Sequence, residues 1–201
     1  MGATPRRFPR ALCPAFWHLL VMRPLRVGVS ACLLGERVRY DGDHRRDRFL
    51  AERLGRRFAW VLVCPESEAG FGVPRETLRL VGDAAAPRML GTETGRDRTQ
   101  EMQAWAVATA ESLEPLGLCG FVLKRGSPSC GPGGVKLYAT AELGEEPRPD
   151  ATGIFARALA ERYPGLPLAD EEMLADHSIA AVFLRRVRAR WRALERGEIR
   201  P

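Results

Sequence analysis

The strongest constraint in this 201-residue chain is a repeated alternation. Short, apolar runs with β-branched residues end in small or polar residues, and each is followed by a stretch with helical spacing. Leu25 to Cys32 (LRVGVSAC) follows Pro24 and carries Val27 and Val29, so it reads as a buried strand. Phe58 to Cys64 (FAWVLVC), Gly120 to Lys124 (GFVLK) and Leu166 to Ala169 read as three more. Between them, Asp47 to Arg57 places Phe49, Leu50 and Leu54 at helical spacing. Asp97 with Gln100 resembles a capping box opening a helix with Met102, Trp105, Ala106, Thr109 and Leu113 on one face, closed by Pro115 and Gly117. Ile154 to Tyr163 and Glu171 to Arg196 complete the series, the latter with a stripe of Phe183, Val187, Trp191 and Leu194. Gly70 to Gly95, punctuated by Gly and Pro, reads as loop. Strands too apolar to face water, alternating with helices, predict an α/β fold. Its sheet is open, mostly parallel and Rossmann-like, with about four or five strands and helices on both faces.

In such a sheet, ligands bind outside the carboxyl ends of the strands. Cys32 and Cys64 end the first two strands, and Cys130 lies in the loop leaving the third, so the fold brings all three to one edge. No Cys-x-x-Cys pair is present, which removes the usual signature of zinc ribbons and thioredoxin-type redox centres. Three readings stay open at this point: a metal site, a redox centre, or small hydrophobes that happen to sit at strand ends. The last reading fits Cys119, within Leu116 to Phe121.

Charge and composition exclude several classes. No apolar run approaches the roughly 20 residues needed to cross a bilayer. The net charge of +6 resides at the ends: residues 1 to 24 hold four Arg and no acid, and residues 185 to 201 hold seven Arg against Glu195 and Glu198. The middle is net acidic, so the electrostatic footprint expected of a dedicated nucleic-acid binder is weak. The five cysteines are an odd number, unlike a secreted disulfide framework. Leu12 to Met22 outlines a targeting peptide but is interrupted by Pro14, Trp17 and His18, and Met22 looks like an alternative start. The expected organisation is a dispensable extension over 1–24, carrying Cys13, and a single cytoplasmic α/β domain over 25–201 with a basic C-terminal helix.

The company of the three cysteines is distinctive. Cys32 stands in Ser30-Ala31-Cys32-Leu33-Leu34-Gly35, followed by Val38-Arg39-Tyr40-Asp41-Gly42. Cys64 stands in Val63-Cys64-Pro65-Glu66, with Gly72-Val73-Pro74-Arg75 downstream, and Cys130 in Leu123-Lys124-Arg125-Gly126-Ser127-Pro128-Ser129-Cys130-Gly131. In these motifs the chain resembles the thiouracil desulfidase-like family of iron-sulfur proteins, from about Leu25 to Gly131. The resemblance implies a 4Fe-4S cluster held by Cys32, Cys64 and Cys130, with one iron free of protein ligand; zinc is the alternative metal. It implies desulfuration of a thiolated pyrimidine, C=S to C=O with sulfide release, on a small thio-nucleobase or thio-nucleoside. A thiocarbonyl sulfur is a soft ligand that suits an open iron. The competing functions are a cluster-dependent sulfur transferase related to tRNA thiolation and a non-enzymatic metal or redox module.

The same resemblance assigns acid-base work to a glutamate and a serine. Glu66 is the candidate proton carrier, two residues beyond Cys64 across a stiff proline, where partial burial would raise its pKa. Ser127 is the first candidate for the serine and Ser129 the second, either orienting water or substrate or capping the turn. Lys124 offers positive charge or points to solvent, and Arg39 with Tyr40 offers contacts to a base or only a turn. Asp97 and Thr99 match an acidic-x-threonine element of the family and equally fit a helix cap. His44 reads as solvated, and His18 and His177 have no partner in the pattern. The Gly131 to Gly134 loop reads as a turn beside the cluster. The chain departs from the family where Ala139 and Thr140 follow Tyr138, and over Pro149 to Gly153, which leaves the substrate more open than the cluster.

Overall fold

A computed structural model describes residues 24–142 and 144–200. The expected Cys13 and His18 features, and most of the expected extension, lie outside the described residues. The apolar runs become β1 (Arg26–Ser30), β2 (Ala59–Val63), β5 (Phe121–Leu123) and β8 (Leu168–Asp170), and they form one fully parallel sheet in the order β2-β1-β5-β8. This is the parallel sheet that continuous apolar strands predict where both faces are covered, whereas β2, expected to be buried, lies at the sheet's edge and leaves Ala59 and Leu62 exposed. The order reverses between β1 and β5: the chain moves to β2 on one side and later returns to β5 on the other. That reversal opens a crevice at the carboxyl edge, the position where open α/β sheets take their ligands.

A second sheet, in the order β4-β3-β6-β7, combines β3 (Leu78–Val81), β4 (Arg88–Gly91), β6 (Val135–Tyr138) and β7 (Arg148–Ala151). It corrects the expectation of loop from Gly70 to Gly95. These strands are four residues long, and Arg79, Arg88, Lys136 and Arg148 interrupt their apolar pattern, so their stability comes from pairing rather than local signal. Pro149 is tolerated because β7 is an edge strand.

The helices are α1 (Pro65–Glu68), α2 (Thr99–Ser112), α3 (Ile154–Arg162) and α4 (His177–Glu195). The expected helix at Asp47 to Arg57 is a single π-helical segment, Phe49–Leu54. The last helix starts at His177 rather than Glu171, where the Asp176 carboxylate accepts the N–H groups of Ser178 and Ile179. The N-cap of α2 is Arg98 rather than Asp97, so the expected capping box is not formed; Asp97, one residue earlier, accepts the Thr99 N–H at 2.9 Å and its hydroxyl at 2.5 Å.

Successive residues of the first sheet face two cores. Val27, Val29 and Val122 pack with Leu50, Leu54 and α4's Phe183 and Val187. Val63, Phe121 and Leu123 pack on the other side with Met102, Ala106, Phe155 and Leu159, and with the second sheet's Leu80, Met89, Val135 and Leu137. Helices therefore cover both faces, as expected. Phe121 meets Phe155 edge-on at 5.6 Å and lies across Gly28, where an added Cβ would fall 2.2 Å from its ring. Gly28→Ala forces that ring out of a close-packed core. We expect a loss of about 1–3 kcal/mol, read as a lower urea midpoint at unchanged m-value.

Candidate active site

Each cysteine is presented by a short turn whose backbone bonds are internally satisfied. β1 ends at Ser30 and turns into the 3-10 segment Ala31–Leu34, which Gly35 closes at φ 107°, a conformation that favours glycine. The Cys32 carbonyl accepts the Arg45 N–H at 2.9 Å, tying this turn to the following loop. Cys64 caps α1, with Pro65 in the first turn, and its N–H donates to the Glu68 carboxylate at 2.7 Å. In the third turn the Ser127 hydroxyl accepts the N–H groups of Ser129 and Cys130 at 3.2 and 3.1 Å. The start of α3 then clamps that turn: the N–H groups of Gly153, Ile154 and Phe155 donate to the carbonyls of Gly131, Pro128 and Ser129.

Cys32, Cys64 and Cys130 line one cavity of about 260 Å³ at the carboxyl edge, together with Arg39, Glu66, Arg75, Lys124 and Ser127. Ser30 borders it as well, and its hydroxyl accepts the Lys124 N–H at 2.9 Å. Among the described residues, Tyr40 is the one aromatic in the lining. The Arg39 guanidinium lies 5.0 Å from its ring centre.

Glu66 is the hub of the polar wall. Its Oε2 accepts two N–H groups of Arg75 at 3.0 and 2.8 Å, and its Oε1 accepts the Ser129 hydroxyl at 2.9 Å and the Ser127 hydroxyl at 3.4 Å. It is no solvated loop residue, since its side chain is only 14% exposed and that of Arg75 6%. Ser129, expected beside the substrate, is wholly buried behind the wall and spends its hydroxyl on Glu66. Lys124 does not point freely to solvent: its Nζ is ion-paired with Glu171, whose other oxygen accepts the Arg125 N–H. Asp97 and Thr99 bond at the start of α2 and do not line the cavity. Half-buried His44 accepts the Arg46 N–H, and Cys119 is buried in the core.

In the sequence Arg75 and Ser30 stand only as members of their motifs, and Glu171 only as the start of the expected last helix. Ser30 and Arg75 belong to the quoted motifs, which could have flagged them. Glu171, 47 residues from Lys124, carries no local signal.

The thiols are shaped by burial. Desolvation, with the neighbouring Cys64 adding to it, pushes Cys32 up to about 11, and burial raises Cys64 and, further still, Cys130. At neutral pH the metal-free protein therefore holds neutral thiols, and a bound metal's own charge is what would ionise them. The cations of the lining do not do so alone. Arg39, Arg75, Lys124 and Arg125 are each paired with an acid: Asp41, Glu66, Glu171 and Glu172.

Among the described residues, no three His, Cys, Asp or Glu side chains are gathered so as to hold a single metal ion. A lone zinc ion needs four ligands, with thiolates about 2.3 Å away. Three soft donors spaced around a cavity suit a polynuclear cluster, which takes one thiolate per iron.

A match to the 2-thiouracil desulfurase family covers residues 27–171, a span that contains every residue of this lining. The chain belongs to the 2-thiouracil desulfurase family. Another similar protein is the uncharacterized YbbK of Bacillus subtilis strain 168, 32% identical over 110 residues, which cover 52% of this chain and 72% of YbbK. Among solved structures, this desulfurase-family chain is similar to TudS, a 4Fe-4S-dependent thiouracil desulfidase. The TM-score is 0.61 and the identity 28%, covering 78% of this chain and 97% of TudS.

The clamp at the start of α3 is testable. A Cβ on Gly153 would fall 2.6 Å from the Ser129 carbonyl and 2.8 Å from the Gly131 nitrogen, so Gly153→Ala must push the Cys130 turn away from the other two thiols. We expect iron affinity to fall by on the order of 10-fold or more, measured as iron retained per chain against a chelator, with the far-ultraviolet circular dichroism spectrum preserved. Cys119→Ala, outside the lining, keeps its iron.

Proposed function

We propose that this chain is an iron-sulfur enzyme that replaces the sulfur of a thiolated pyrimidine with oxygen. The reaction balances without an oxidant or reductant: a C=S compound and water give the C=O compound and hydrogen sulfide. The observation that carries the reading is the meeting of Cys32, Cys64 and Cys130 with Glu66 and Ser127 on one cavity wall, in a chain of this family. In this reading the three cysteines hold a 4Fe-4S cluster. When bound, it supplies an iron without a protein ligand, a Lewis acid for the soft thiocarbonyl sulfur.

The remaining work falls to the chain's own groups. Glu66 Oε1 takes a proton from the water that adds at the ring carbon and returns it towards the departing sulfur or a ring nitrogen. Its other oxygen is occupied by Arg75, so the proton moves at one defined atom. Ser127 faces the cavity with its lone pairs committed to the amides of Ser129 and Cys130, which leaves its proton to donate. Its contact with Glu66, at 3.4 Å, is long enough for substrate or water to compete for that proton. Ser129 supports Glu66 from behind.

Lys124 places positive charge at the rim, steadied by Glu171, where negative charge develops on the substrate. Arg39 and Tyr40 provide a cationic edge and a ring face for a planar base. In this reading the substrate is a small thio-nucleobase or thio-nucleoside. No helix among the described residues is long and apolar enough to cross a membrane. A site built from free thiols suits the reducing cytoplasm.

The test is anaerobic purification, measurement of iron and sulfide, and incubation with 2-thiouracil or 4-thiouracil. Loaded protein is expected to release sulfide and the oxo product. Glu66→Gln, which keeps the shape and removes the proton-carrying function, should lower kcat by about 10²-fold or more while the cluster absorption stays intact. Protein that binds only zinc after anaerobic reconstitution, or Glu66→Gln protein with full kcat, overturns the reading.

A further inference from the structure

Among the cations of the lining, Arg75 makes the most side-chain hydrogen bonds described. Four of its five N–H donors are engaged. Nε and one terminal nitrogen bind Glu66 Oε2, the same terminal nitrogen reaches the Val38 carbonyl at 3.1 Å, and the other binds the Gly72 carbonyl at 2.7 Å. Its own N–H donates to the Tyr40 carbonyl at 2.9 Å, so the residue is held at both ends. The contacts span the site. Val38 follows the Cys32 turn and its carbonyl also accepts the Cys64 thiol at 3.6 Å, Glu66 follows Cys64, and Glu66 Oε1 continues to Ser129 beside Cys130.

We propose that Arg75 is a positioning residue that acts through Glu66. By fixing Oε2 it keeps Oε1 on the two serines, at the wall where the proton is exchanged. The inference rests on the reading of Glu66 above and adds a requirement for a fork rather than a charge. A planar guanidinium can grip a carboxylate oxygen while its remaining donors are anchored to backbone carbonyls. A lysine ammonium, a point charge on a flexible stem, cannot reproduce that fixed geometry. A carboxylate freed to rotate would leave the geometry that proton transfer needs.

The cysteine turns have backbone ties of their own at Arg45, Glu68 and Phe155, so Arg75 is not what retains the metal.

The experiment uses the full chain, reconstituted without oxygen, as wild type, Arg75→Ala, Arg75→Lys, Glu66→Gln and the Arg75→Ala/Glu66→Gln double variant. Iron and sulfide per chain and the cluster absorption are read first, then kcat and KM with 2-thiouracil. Both single Arg75 variants should load normally. Each should lose on the order of 10- to 100-fold in kcat with KM little changed. Added guanidinium ion should restore part of the loss in Arg75→Ala but none in Arg75→Lys, whose ammonium fills the space. In the Glu66→Gln background, Arg75→Ala should cost almost nothing further. Wild-type kcat in Arg75→Lys overturns the proposal, as does iron loss that parallels the loss of activity, or a full additive penalty in the double variant. Wild-type kcat in Glu66→Gln alone instead identifies failure of the Glu66 reading itself.

Discussion

Parallel pairing of β1 with β2 on one side and β5 on the other underlies everything else in this molecule. Parallel strands deliver all their carboxyl ends to the same edge, and the reversal of strand order at β1 leaves a crevice there. The chain turns away from the sheet at that edge after each of its four strands, and the turns after β1, β2 and β5 each bring a cysteine. The pairing also demands close approach: Gly28 stands opposite Phe121, and the ring crosses the strand where any larger residue would have its Cβ. Packing and site geometry are thus one problem, because the core that seats Phe121 against Phe155 also fixes the strand from which the Cys130 turn departs.

A crevice lined by buried thiols and backbone turns would be costly without internal partners for its polar groups. Glu66 and Ser127 supply many of them. One carboxylate joins Arg75, Ser129 and Ser127, and one hydroxyl closes two amides of the third turn. The start of α3, often an anion site in other proteins, is committed here to loop carbonyls. The positive ends of its N–H groups therefore hold the Cys130 turn in place and are not presented to a ligand.

The electrostatics separate two tasks. Every cation in the lining is matched by an acid, so the metal-free site is close to neutral and its thiols remain protonated. Ionisation of the cysteines is thereby coupled to arrival of metal charge. The pairing also immobilises Arg75 and Lys124, long side chains that in water would sample many rotamers, and converts them into fixed features of the wall.

The sequence by itself determined the parallel sheet and the location of the cysteines. Short, β-branched apolar runs such as those around Val27, Val61 and Val122, bounded by turn residues, read as strands of a parallel sheet, and a cysteine at the end of such a run or in the loop leaving it comes to the sheet's carboxyl edge. The four strands of the second sheet were illegible, since segments like Arg88–Gly91 and Arg148–Ala151 become strands only when a neighbour supplies the hydrogen bonds. The same holds for the wall of the site. A glutamate two residues after Cys64 is visible, but its union with Ser129, 63 residues away, and the pinning of Arg75 on Val38, 37 residues earlier, are not. Those bonds depend on which turns the fold brings within hydrogen-bond reach, and that distance exists only in three dimensions.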